Sequence, residues 1–275
     1  MSAWVRTLGA GKLVLLVGAV FLSIFPTIIA LNAVIQPPEV LAGPQSFFPE
    51  VFSLESLRNA FSDARVLGWV RNSAIIAAET AIVVLLVGIP AAFILARREF
   101  PGRRAFLIAI VVTQTVAPAV LIVPLFRMLA TWDVLDTHLS VSIVSAAFVL
   151  PFCIWLMTAF FREALSREVE EASELDGATS FRFLFNILIP NSIPGLTATG
   201  IWAFMFGWND YIFSLTFLTD PDLLPLAIGT AKSVGLWGVD WGSLMAASLI
   251  GTIPIITMFV LLRRPLESGL NLTTH

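Results

Sequence analysis

The chain has 275 residues, 57% hydrophobic and 13% charged, with a formal net charge of -3 and a mean hydropathy of +0.90. Soluble domains carry roughly 25% charged residues, so this composition excludes an ordinary soluble domain and predicts an all-α, polytopic membrane protein. The single cysteine, Cys153, excludes an internal disulfide, and the distant His138 and His275 offer no metal centre.

Six apolar runs are long enough to cross a hydrocarbon core of about 30 Å as helices. They cover residues 13–34, 73–96, 105–129, 141–161, 187–206 and 244–262, and together predict a single transmembrane domain over 1–275. The first run follows Arg6 and Lys12 as a signal peptide would. Its length, Pro26 and the lack of a small-x-small exit predict a retained anchor instead. A polar, proline-containing connection over 36–71 leads to the second run. A short one over 130–140 carries Trp132, Asp133 and Asp136, and a longer one over 213–242 contains Asp220-Pro221-Asp222 and Trp237. Trp202, Trp208, Trp237 and Trp241 gather towards that side, as an interfacial aromatic belt does. Prolines recur inside the runs, at 26, 90, 118, 124, 151, 194 and 254. Each alone is a kink, but so many suit helices that enclose a pathway, with Pro118 and Pro124 sharing one span.

Basic residues orient the chain. With both termini inside, the inner set is Arg6, Lys12, Arg97, Arg98, Arg103, Arg104, Arg162, Arg167, Arg182, Arg263 and Arg264, against Arg58, Arg65, Arg71, Arg127 and Lys232 outside. Eleven against five favours an N-in, C-in topology, and the doublets lie at helix ends, where the rule is strongest.

That topology puts the acid-rich 162–186 loop in the cytoplasm. Ser166 is expected to cap a helix whose first turns hold Glu168, Glu170 and Glu171. Leu165, Val169, Ala172 and Leu175 form one apolar stripe, and Gly177 stands where a left-handed residue ends the helix. Ser180 is expected to cap a second helix that runs through Phe181, Leu184 and Phe185 back into the membrane. A helix lying beneath the bilayer with small Ala172 and Ser173 exposed fits a groove on a partner. Its excess of acid argues against simple adsorption to lipid.

Glu171-Ala172-Ser173, Gly177 after three intervening residues, and Ile187-x-Ile189-Pro190 after nine more resemble the EAA loop of ATP-binding-cassette importer permeases. Ser173 and Ile189 replace the usual Ala and Leu. Further stretches resemble the carbohydrate-importer permeases of the maltose type. They are Arg71-Asn72-Ser73, Phe100-Pro101-Gly102-Arg103-Arg104, Phe160-Phe161-Arg162, Trp208-Asn209-Asp210, Asp240-Trp241-Gly242 and Ser268-Gly269-Leu270. The resemblance covers roughly 50–270, while the tail from Asn271 departs from the small residues usual there.

The resemblance implies a type I importer permease in a bacterial cytoplasmic (inner) membrane. It implies a second homologous permease, a cytoplasmic ATPase dimer and an extracytoplasmic solute-binding protein as partners. Membrane lipid surrounds the chain, and no nucleic acid is involved. Glu170, Glu171, Ala172, Ser173, Leu175, Asp176 and Gly177 would form the coupling helix: Glu171 and Asp176 its polar contacts, Ala172 and Ser173 its close-packing surface. The segment towards Lys232–Asp240 would meet the binding protein.

The chain is not expected to be an enzyme or to hold a cofactor; ATP and Mg would bind the partner ATPase. Gly9-Ala10-Gly11-Lys12 imitates a phosphate loop, but Arg6 and Leu13 stand where that motif needs glycine and Ser or Thr.

Polar residues in apolar surroundings are the pathway candidates. Glu79 lies within the second span, where a carboxylate normally faces protein or water. It either lines the pathway or packs, hydrogen-bonded, against the partner permease. Trp208, Asn209 and Asp210 combine an aromatic face with planar polar groups, as sugar recognition requires, or else anchor a helix end at the interface. Gln114 is a further candidate, and Thr115, Asn186 and Asn191 have interhelical hydrogen bonding as their default account.

The expected function is ATP-driven import of a sugar or sugar derivative by alternating access. A non-sugar solute such as a polyamine, a metal complex or an oxyanion is the first alternative. An ion-coupled secondary carrier is the second, although no inverted repeat is visible.

Overall fold

The apolar runs become helices, several longer than the runs themselves. The computed structural model describes residues 10–37, 51–232, 234–235, 238–239 and 241–271. Its helices are α1 (Ala10–Val34), α2 (Glu55–Ser62), α3 (Ala64–Arg97), α4 (Arg103–Val112), α5 (Pro118–Thr131), α6 (His138–Ala164) and α7 (Arg167–Leu175). They continue with α8 (Ser180–Phe183), α9 (Ile189–Asn191), α10 (Ile193–Trp208), α11 (Ile212–Phe217), α12 (Leu226–Lys232) and α13 (Trp241–Asn271). A two-residue antiparallel pair, β1 (Val234–Gly235) with β2 (Gly238–Val239), is the only sheet among the described residues. Arg6, Trp237, Asp240, His275 and the tail beyond Asn271 lie outside the described residues.

Among the described residues, Lys12–Val34, Ala64–Arg97 and His138–Ala164 are long and apolar enough to cross a membrane. The expected third span is not one straight helix: α4 and its 3-10 extension to Thr115 meet α5 at a bend of 96°. Proline drives its predecessor out of the helical region. Ala117 is extended at φ -65 and ψ 131, while Pro118 sits at the start of α5, where its missing N–H costs nothing. Side chains cover the carbonyls near the break, Thr115 Oγ1 donating to Val112 O at 2.8 Å and Gln114 Nε2 to Phe148 O at 2.7 Å.

The expected fifth span is also divided. A π-helical turn over Leu184–Leu188 precedes α9, and Ser192, at φ -111, separates α9 from α10. Pro190 and Pro194 flank that break and remove two helical donors. Asn191 Nδ2 donates back to Ile187 O at 2.7 Å, so this amide serves its own helix rather than a neighbour.

Contacts group the chain into two units. One comprises residues 1–66 and 230–252. Within it the apolar side chains from Leu13 to Leu31 are largely exposed, as a lipid-facing helix requires. The other comprises residues 67–229 and 253–275. It is built on α6, which packs most extensively against α10. One buried cluster joins Val84 and Phe93 of α3 to Val149, Cys153, Met157 and Phe161 of α6, and to Phe183 and Leu188. A second, towards the start of α6, joins Ile76, Leu129, Val141 and Val144 to Phe213, Phe217 and Ile228. Lipid supplies no hydrophobic drive between helices, so close backbone approach at small residues matters here. A Cβ on Gly207 would lie 3.0 Å from Ala77 Cα and 2.8 Å from Thr80 Oγ1.

Candidate functional site

The 162–186 corner begins where α6 ends at Ala164. Ser166 takes the expected cap position, but its hydroxyl contacts Glu168 Oε2 at 3.3 Å and caps no amide. The far end of α7 follows the glycine rule. Gly177 has φ +80; its N–H donates to Glu174 O at 3.0 Å and that of Ala178 to Ser173 O at 2.9 Å. This double closure satisfies two orphan carbonyls and reverses the chain. Thr179, not Ser180, caps α8, its Oγ1 accepting from Arg182 N at 3.3 Å. Ser180 Oγ instead accepts from Arg98 Nη2 at 2.7 Å.

The inward face of α7 is polar. Glu170 is 8% exposed and Ser173 7%. Glu170 Oε2 lies 3.8 Å from Arg97 Nη1, and Arg97 Nη2 donates to Phe161 O at 2.6 Å and Leu165 O at 3.0 Å. Arg97 thus joins α3, the end of α6 and α7 through one guanidinium. Arg98 pairs with Glu174 at 3.7 Å and Arg167 with Glu99 at 2.9 Å. Glu99 raises the Arg167 guanidinium further above its ordinary pKa by hydrogen bond and charge.

The expected exposure of Ser173 is therefore corrected. Its hydroxyl turns inward and donates to Glu170 O at 2.8 Å, because the arginines of α3 draw that face of α7 onto the protein. Glu171, Ala172, Leu175, Asp176 and Gly177 all remain exposed. Leu175 is 90% exposed and Phe181 72%, and the Phe181 ring lies 4.4 Å from that of Phe185. α7 thus buries Glu170 and Ser173 and leaves Leu175 outward, beside the exposed Phe181 of α8 and Phe185.

The second candidate region surrounds the end of α10. A cavity of about 410 Å³ is bounded by Pro118 at the bend and by Trp202, Met205, Asn209, Asp210 and Tyr211. Asn209 is exposed, while Asp210 is buried and accepts from Ser214 N at 2.8 Å and Ser214 Oγ at 2.7 Å, which caps α11. Trp208 does not line this cavity. It is 5% exposed and stacked on Phe204 at 5.9 Å. The accessible ring is Trp202, 48% exposed and 5.4 Å from Phe152. Helical spacing explains the exchange: Trp202, Met205, Phe206 and Asn209 recur at the period of one face, and Trp208 lies off it.

Glu79 and Gln114 do not join this group. Glu79 is half-buried between α3 and α6, its Oε2 accepting from Ser142 Oγ at 2.7 Å. Gln114 is exposed and tied to α6 through Phe148 O. No group of three metal-ligating side chains occurs among the described residues.

At the opposite end of α6 from α7, the 218–226 segment is pinned by side chains. Asn72 Nδ2 donates to Asp222 O at 2.7 Å and Leu224 O at 3.0 Å, and Ser73 Oγ accepts from Leu226 N at 2.9 Å. Asp136 Oδ1 accepts from Thr219 N at 2.7 Å and Asp220 N at 3.0 Å; these amides hold its carboxyl below the usual range. His138 Nε2 lies 3.2 Å from Leu223 O.

A model of the family described as "Binding-protein-dependent transport system inner membrane component" matches residues 88–267. The diacetylchitobiose uptake system permease protein NgcG of Streptomyces coelicolor is 32% identical, over 85% of this chain and 77% of that one. The trehalose/maltose transport system permease protein MalG of Thermococcus litoralis is 29% identical, over 94% and 95%. The trehalose transport system permease protein SugB of Mycobacterium tuberculosis is 30% identical, over 81% of each chain. Among solved structures, a chain of a bacterial ABC transporter involved in import of the acidic polysaccharide alginate superposes with a TM-score of 0.80. It is 21% identical, with 96% of this chain and 98% of that one covered, and shares the fold.

Proposed function

The chain belongs to the binding-protein-dependent transport system inner membrane components, multi-pass proteins of the bacterial cytoplasmic membrane, and we propose that it is a permease subunit for a sugar or sugar derivative. In this reading it crosses the membrane six times with both ends inside. It pairs with a second permease, and α7 docks on a cytoplasmic ATPase dimer that holds ATP and Mg. A solute-binding protein delivers the cargo, and alternating access moves it.

The observation that carries the reading is the outward apolar face of α7–α8, closed by Gly177 and backed by Arg97. ATP-driven closure of an ATPase pulls on a permease only through a rigid, exposed handle. The three-point hold of Arg97 passes such a pull directly to α3 and α6. Relatives named for diacetylchitobiose, trehalose and maltose support a sugar cargo. The cavity with Trp202 beside Asn209 supplies a ring to stack a sugar and, since Asn209 Nδ2 is bonded to Met205 O at 2.8 Å, the Asn209 Oδ1 to accept from a hydroxyl. Glu79 and Gln114 remain pathway candidates, and in this reading a cargo hydroxyl would take the place of Ser142 Oγ on Glu79.

Vesicles containing the chain with its permease, ATPase and binding protein test the proposal. ATP-dependent uptake of a labelled di- or oligosaccharide is expected, with no uptake when the ATPase is omitted. Transport persisting without the ATPase would overturn the reading in favour of an ion-driven carrier. Uptake of a polyamine or oxyanion in place of every sugar would overturn the cargo assignment alone.

A further inference from the structure

The arginines between α3 and α4, with Arg162 at the end of α6 and Arg167 at the start of α7, fall into two sets. Arg97, Arg98 and Arg167 each face a glutamate within 4 Å. Arg103, Arg104 and Arg162 have no ion pair among the described residues. Arg103 and Arg162 reach only Ala96 O at 3.5 Å and Leu95 O at 3.4 Å, both long for charge-assisted bonds. They are also near enough to feel each other's charge.

All three line an open cavity of about 580 Å³ together with Phe100, Ala105 and Leu107. The one carboxylate on its rim, Glu99, is taken by Arg167. Guanidiniums that line a cavity whose one carboxylate is already paired repel one another, and an anion from outside the chain relieves that repulsion.

The neighbouring helix narrows what the anion is. No residue of α4 is buried, and Phe106, Ile108, Val111 and Val112 are all exposed. Positive charge at the foot of the helix and an apolar surface along about 15 Å of its shaft match a molecule with a phosphate head and hydrocarbon tails. A soluble phosphate would use only the foot, and so would an acidic protein surface.

We propose that Arg103, Arg104 and Arg162 bind the headgroup phosphate of an anionic phospholipid whose acyl chains lie along α4. The site requires only that this corner meet a membrane surface, so it stands whatever the cargo is. Bound there, the lipid would bridge α4 and the end of α6, beside the Arg97 junction.

Native mass spectrometry on the complete transporter in detergent tests the site, with phosphatidylglycerol and phosphatidylcholine as probes. Phosphatidylglycerol should be retained in preference to phosphatidylcholine. Arg103→Gln and Arg162→Gln should each weaken that retention by about fivefold, and Arg127→Gln, on α5, should leave it unchanged. Equal retention of the two lipids by the wild type, which needs no variant, would overturn the proposal. So would phosphatidylglycerol held undiminished by both variants. If inorganic phosphate displaces the lipid and protects the wild type but not the variants against heat, the site takes soluble phosphate and the lipid assignment fails. Loss of the ATPase subunit from the variants, with lipid retention unaltered, would make this face a protein contact and also overturn it.

Discussion

The two ends of α6 are held in opposite ways. At its start, main-chain groups of the 218–226 segment are fastened by hydrogen bonds that Asn72 donates and that Ser73 and Asp136 accept. At its end, α7 is fastened by ion pairs of Arg97, Arg98 and Arg167 with carboxylates, two of them at 3.7 Å or more. Bonds to the main chain, two of them accepted by the Asp136 carboxylate, fix one geometry and leave little to rearrange. Charge pairs around a helix with an exposed apolar face let that helix shift as a body while it stays attached. Under the proposed function, the contrast gives rigidity to one end and transmitted motion to the other.

The largest expected effect is at the junction. Arg97→Gln leaves Glu170 buried without its counter-charge and should cost about 3 kcal/mol, read as faster hydrogen exchange across 161–175. Adding Glu170→Gln should restore much of that protection, since the uncompensated charge is then gone. Unaltered exchange in the single variant would remove the ionic half of the contrast.

Asn72→Ala strips the donors from Asp222 O and Leu224 O and should cost about 2 kcal/mol. The damage should stay in the 218–226 segment, as proteolysis near Asp220, with exchange at α7 unchanged. Loosening at both ends would mean that they act as one element.

Gly177→Val forces a β-branched residue into a left-handed backbone, at about 1–2 kcal/mol. The variant should insert normally and hydrolyse ATP with its partners while uptake falls. Fully coupled uptake would deprive α7 of its role as the moving handle.

The smallest effect is a pH dependence. Asp136 is held below the ordinary carboxylate value, near 3.9 when unfolded, by the amides of Asp220 and Thr219. Its contribution is complete above that unfolded value and disappears as pH falls through the lower folded one. Exchange at Thr219 and Asp220, corrected for intrinsic rates, should be flat from about pH 5 to 8 and rise below about pH 4. In Asp136→Asn the pH dependence should vanish.

Local rules were legible in the sequence wherever one residue decides the outcome. Gly177 ends its helix because no other residue takes φ +80 so readily. Asn72 and Ser73 were visible only as a resemblance, since a bond to a carbonyl 150 residues away leaves no local pattern. Pro118 by itself does not specify the 96° bend, because a proline kinks or breaks a helix according to what the neighbouring side chains can re-satisfy. Trp208 adjoins Asn209 and Asp210 in sequence, whereas Trp202, six residues earlier, is the ring that reaches the cavity.

By itself, the sequence determined the membrane class, the helical character, the acidic corner and the glycine that closes it. Composition, hydrophobic period and backbone preference are properties of short segments. The tertiary structure alone decided which face of α7 turns inward. Periodicity draws an apolar stripe on a helix and does not say whether the protein covers that stripe. Here the arginines at the end of α3 draw Glu170 and Ser173 in and leave Leu175 out. The same long-range placement separates Arg97, Arg98 and Arg167, which have glutamates, from Arg103, Arg104 and Arg162, which have none among the described residues.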